Sequence, residues 1–126
     1  MSDRLPLSEY FWLDEFECSC CGGVYHLSGE LLDGLDWLRE QTGSRIKVNS
    51  GSRCVAYNTA LYKAKGQEPT ASAVHTKGWA ADIVFLDCEI DEELKTLIRS
   101  RFDGIGWGDG WVHVDVRGGD QREWSY

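Results

Sequence analysis

Leu31, Leu35 and Leu38 fall at helical spacing in a stretch otherwise dominated by charged and polar residues, and Ser28 stands just ahead of it. The spacing predicts an amphipathic helix from about Gly29 to Gln41, capped by Ser28 and stopped by Thr42-Gly43. Ile46-Lys47-Val48-Asn49-Ser50 alternates with a period of two and predicts a strand that Gly51 ends. A second helix is expected over roughly Val55 to Lys65, followed by a loop from Gly66 to Thr70. Ala80 to Phe85 is an apolar run that carries Asp82, the pattern of a buried strand. Asp91 is placed to cap a third helix reaching about Arg101, with Leu94, Leu97 and Ile98 facing inward. Glycines at 104, 106, 108 and 110 predict a tight, flexible connection to a last strand over 111–117. Strands and helices mix without regular βαβ alternation, so the predicted class is α+β, a small antiparallel sheet with flanking helices.

Length and charge narrow the picture. A chain of 126 residues predicts one domain spanning 1–126, with a core supplied largely by six Trp, five Tyr and four Phe. A formal charge of −8 and the lack of any Lys/Arg cluster argue against nucleic-acid and anionic-membrane partners. No apolar run approaches a membrane span, and a monomer is expected. Met1 to Leu7 lack the apolar core of a secretory signal, so synthesis in the cytoplasm is expected. Five Cys, an odd number, disfavour a disulfide framework. Cys18, Cys20 and Cys21 offer either buried thiols or a structural metal site completed by Cys54, Cys88 or His26.

Only three His occur, and two of them stand in segments that also carry carboxylates. His75 and Asp82 lie seven residues apart, and His113 sits on the last predicted strand. Two His and one carboxylate, with a fourth position left for water, is one way to build a catalytic zinc centre. On the last strand, alternation puts His113 and Asp115 on one face and Val112, Val114 and Val116 on the other. The valines make a core face. The polar pair needs either a site or solvent, where a cross-strand ion pair is the plainer alternative.

The residues also carry a family resemblance. His75-x-x-Gly78-x-Ala80-x-Asp82-Ile83 resembles the signature of the zinc D-Ala-D-Ala carboxypeptidases and their endolysin relatives, which share a fold with the hedgehog signalling domain. Ser50-Gly51-Ser52-Arg53-Cys54 with Asn58 is similar to the stretch that precedes that signature. Gly104-Ile105-Gly106 and Trp111-Val112-His113-Val114-Asp115-Val116-Arg117 resemble its closing segment, and Glu15-Phe16-Glu17-Cys18-x-Cys20-Cys21 the opening of phage and prophage members. The resemblance implies zinc held by His75, Asp82 and His113. It implies Arg53 on a substrate carboxylate or carbonyl oxygen, where a planar, always charged guanidinium suits the task. The implied substrate is a peptidoglycan stem peptide, cut at a bond involving a D-amino acid and reached by release during phage lysis.

Two positions depart from the family pattern. Several relatives carry an acidic residue three positions before the last His, where this chain has Gly110. Asp115 is the favoured replacement as general base, with Asp109 the competitor, and a role in orienting a ligand or Arg53 is the alternative for Asp115. Relatives also carry Ser two residues before the first His, where this chain has Ala73 and places Ser72 one step earlier, as the candidate for a substrate hydrogen bond. Trp79, Trp107 and Trp111 flank the motifs and suit either a substrate groove or the core. Gly110 keeps a different class of protein open, a zinc-binding module without catalysis. A phage structural or assembly protein without metal is the third possibility.

Overall fold

The computed structural model describes residues 6–17, 27–51 and 78–126. A 3-10 turn at Leu13–Phe16 leads to helix α1 (Gly29–Thr42), strand β1 (Ile46–Ser50), strand β2 (Ala80–Phe85) and helix α2 (Glu92–Arg101). Strands β3 (Gly104–Trp107), β4 (Val112–Asp115) and β5 (Arg122–Ser125) close the chain. The expected helix over 55–65 and the loop over 66–70 lie outside the described residues.

The helix ends follow from local chemistry. Ser28 accepts the backbone N–H of Leu31 at 3.3 Å, and Gly43 ends α1 in the left-handed region at φ 66°. Asp91 caps α2 by accepting the N–H of Leu94 at 2.9 Å. Leu31, Leu35 and Leu38 of α1 and Leu94 and Ile98 of α2 are buried in the main core, which Leu97 flanks partly buried.

The five strands form one sheet in the order β1-β2-β4-β3-β5. All neighbours pair antiparallel except β3 and β5, which run parallel, so the sheet is mixed. Ala81, Ile83, Phe85, Ile105, Val112 and Val114 are buried in the apolar cluster that also holds the helical leucines. Alternation along the strands sends Asp82, His113 and Asp115 to the opposite face. A register shift between Val48 and Ser50 sets Ser50 opposite Asp82 at the end of β1.

One segment departs from the sequence reading. The residues expected to form a flexible glycine connection include a regular strand, Gly104–Trp107, hydrogen-bonded on both sides. The glycines on its open face make room for neighbours. A Cβ at Gly104 would collide with the Asp115 carboxylate, and one at Gly108 with the Trp111 ring. At Gly106 it would lie 2.5 Å from the Trp124 Nε1. Close approach, rather than flexibility, explains this row. The turn that follows does need a glycine, since Gly110 has φ 76°.

Candidate metal centre

Strand pairing assembles the site. Asp82 on β2 is the register partner of His113 on β4, and His113 is in turn opposite Gly106 on β3. Asp115, two residues along β4, lies between Ala80 and Gly104. Small residues therefore flank the Asp115 carboxylate on both sides, and it is completely buried.

His113 is buried with a carboxylate at each ring nitrogen. Nδ1 lies 2.9 Å from Asp82 Oδ1 and Nε2 lies 2.8 Å from Asp115 Oδ2. Burial by itself pulls the imidazole pKa down. The hydrogen bonds to Asp115 and Asp82 and their charges outweigh it, so His113 is held above the usual 6.5. Burial likewise disfavours the Asp115 carboxylate charge, yet the hydrogen bonds from His113 and Arg117 hold it well below its ordinary range. Arg117 grips Asp115 with two parallel bonds, Nε to Oδ1 at 2.9 Å and Nη2 to Oδ2 at 2.6 Å. The backbone N–H of Arg117 donates to the same Oδ1 at 3.3 Å.

This chain of contacts runs Arg117–Asp115–His113–Asp82, and it gives the two ring nitrogens different surroundings. Nε2 faces a carboxylate that is already ion-paired, the usual arrangement for the nitrogen that keeps its proton when the other binds a metal. Nδ1 faces the partly exposed Asp82 carboxylate, 14% exposed, and a divalent cation taken by both would replace the proton they share. An imidazole nitrogen and a carboxylate oxygen suit zinc. The donors present thus fit the group. Among the described residues no set of three His, Cys, Asp or Glu side chains gathers to hold a metal, and the third expected ligand, His75, lies outside them.

Of the other residues singled out in the sequence, Arg53 and Ser72 also lie outside the described residues, as do Cys18, Cys20, Cys21, Cys54 and His26. Cys88 is an exposed free thiol. Gly78 of the first motif is described: it is buried, has φ 73°, and its carbonyl accepts the N–H of Ser28 at 2.9 Å. Trp107 packs against the core, and its Nε1 donates to Glu123 at 2.6 Å. Trp111 lies over Gly108 and stacks on Tyr126 with ring centroids 4.8 Å apart.

Sequence reasoning missed Trp124, whose indole lies beside His113 with ring centroids 5.2 Å apart. It also assigned no partner to Arg117. The glycines at 104 and 106 were the available signal, because a strand that lacks side chains on one face leaves space its neighbours must fill.

A family model described as Peptidase M15 matches residues 9–115, most of the chain. The match covers β1 to β4 and ends at Asp115, so it takes in Asp82 and His113 as well as Arg53, Ser72 and His75, which lie outside the described residues. It defines a metallopeptidase by class. The chain belongs to the Peptidase M15 family, whose members are generally zinc-dependent. No curated protein and no solved structure matches it significantly.

Proposed function

We propose that the chain is a zinc-dependent peptidase that hydrolyses a bond involving a D-amino acid in the stem peptide of bacterial peptidoglycan, as a carboxypeptidase or an endopeptidase. The observation that carries this reading is the Asp82–His113 pair, 2.9 Å apart, within the span matched by Peptidase M15. In this reading His75, Asp82 and His113 hold the zinc. When bound, zinc supplies Lewis acidity toward the scissile carbonyl and a water acidic enough to act near neutral pH.

The remaining roles fall to the protein. Arg53 binds a substrate carboxylate or carbonyl oxygen, a task that suits a planar, always charged guanidinium. Ser72 donates a hydrogen bond to substrate. For Asp115, total burial and bonds to both His113 and Arg117 support the orienting role over that of general base. A proton carrier must reach both water and the leaving amine, and Asp109, exposed in the turn between β3 and β4, is assigned that work. The protein acts as a monomer, without nucleic acid or membrane, and reaches the cell wall through phage lysis. Among the described residues no helix is long and apolar enough to cross a membrane.

A second reading, a zinc-binding module without catalysis, has one specific observation behind it. The position where relatives place an acidic residue is Gly110, with left-handed backbone that resists a longer side chain. The two readings part in a muropeptide assay followed by mass spectrometry. The zinc-loaded protein is expected to shorten stem peptides, and Arg53→Ala to lower kcat/KM about tenfold to a hundredfold with zinc retained. Zinc-loaded protein that left every muropeptide intact would support the module instead.

A further inference from the structure

The family match stops at residue 115, yet the chain continues into a strand that touches the site. β5 pairs parallel with β3 and brings Trp124 into register with Gly106. Gly106 is itself the partner of His113, and His113 of Asp82. The row across the sheet thus reads Asp82–His113–Gly106–Trp124. Because position 106 has no side chain, the indole passes over β3 and meets the imidazole, with the two rings tilted at 46°. Any Cβ at 106 would lie within 2.7 Å of both Nε1 and Cε2 of that indole.

Trp124 also meets the other end of the polar chain. The Arg117 guanidinium lies 5.5 Å from the centre of its ring while bonded to Asp115. One side chain therefore packs against both the imidazole and the arginine that fixes the imidazole's carboxylate partner.

β5 is itself held firmly. Gln121 donates to the carbonyls of Arg99 and Phe102 at 2.6 and 2.9 Å, and the Arg122 N–H to the Asp103 carbonyl at 2.8 Å. Arg99 and Trp107 both bond Glu123, and the Tyr126 N–H donates to the Trp107 carbonyl at 3.0 Å.

We propose that β5 is a clamp on the metal centre and that Trp124 is a positioning residue for His113. The indole restricts rotation of the imidazole and keeps water from the Nε2–Asp115 hydrogen bond, so that Nε2 retains its proton and Nδ1 stays turned to Asp82. Nothing in this role requires Trp124 to touch substrate. The role in catalysis rests on the peptidase reading; the restraint of the ring does not.

The test uses the full chain carrying Trp124→Phe, Trp124→Leu or Gly106→Ala. Nitrogen-15 NMR of histidine-labelled, metal-free protein reports the exchange of the His113 Nε2 proton with water, and chelator competition reports zinc affinity. Wild type and Trp124→Phe are expected to keep a slowly exchanging Nε2 proton. Trp124→Leu, which keeps apolar bulk but no ring, is expected to speed that exchange and to weaken zinc binding about tenfold, the lower end for loss of a group supporting a ligand. Gly106→Ala, whose added methyl displaces the Trp124 indole together with the Tyr126 ring, should do the same and decides the matter if Trp124→Leu does not fold. Exchange and affinity unchanged in the folded leucine or alanine variant would overturn the proposal. If wild type binds no zinc, the peptidase reading fails by itself, and the proton-exchange comparison still decides whether Trp124 restrains His113.

Discussion

Asp115→Ala is expected to destabilise the protein by about 3–5 kcal/mol, the range for removing one partner of a buried charge pair. Arg117 would lose both of its side-chain bonds to this carboxylate, and His113 would lose the acceptor at Nε2. Denaturant unfolding of the metal-free protein at neutral pH measures the loss. The dependence on pH identifies its source. The Asp115 pKa is lowered in the fold, so its contribution is fully present above about 4, the ordinary Asp value, and disappears as the pH falls through the lowered pKa. The His113 pKa is raised, so its contribution is present below about 6.5, the ordinary His value, and disappears as the pH rises through the raised pKa. Asp115→Ala should flatten the acid limb and weaken the alkaline one. A variant as stable as wild type would mean that the contacts of Asp115 with His113 and Arg117 contribute nothing to the fold.

Gly104→Ala should have an effect of similar size without removing any polar group. Its methyl would occupy the space of the Asp115 carboxylate, which is completely buried and bonded to two partners. Either β3 shifts from β4 or the carboxylate leaves His113 and Arg117. Overpacking alone costs about 1–3 kcal/mol, and disturbing the ion pair adds to it, for an expected total of about 3 kcal/mol or more. Zinc affinity should fall as well, because the Nε2 partner of His113 is the group displaced. Unfolding and chelator titrations check both parts. A change under about 0.5 kcal/mol, the size of an ordinary surface substitution, with affinity intact would show that the site tolerates the added methyl.

These two substitutions also mark where sequence reasoning succeeds and where it stops. α1, β1, β2 and α2 lie within a residue or so of their expected limits, because apolar periodicity and the caps Ser28 and Asp91 are local signals. The face shared by His113 and Asp115 follows from alternation alone, once the valines between them are assigned to the core. Gly104 and Gly106 read as a loop because glycine is poor in strands by propensity. Their reason for being glycine lies on the neighbouring strands, in Asp115 and Trp124, where no local pattern points. β5 is short and largely exposed, so its apolar content announces no strand. Its parallel pairing with β3 depends on contacts with α2 and the 102–103 corner. Asp115 shows the same limit in the site. Sequence finds a carboxylate beside a histidine, but only the placement of Arg117 indicates that both oxygens are engaged.

The measurement that tests the central claim most directly is the metal content of the purified chain, as wild type and as His113→Ala. The account predicts about one zinc per chain in the wild type, as a single three-ligand centre requires, and its loss in the variant. Zinc undiminished in His113→Ala would contradict it by placing the metal elsewhere, with the cysteines at 18, 20 and 21 the first place to look. A wild-type protein that takes up no zinc, even when zinc is supplied, would contradict it outright.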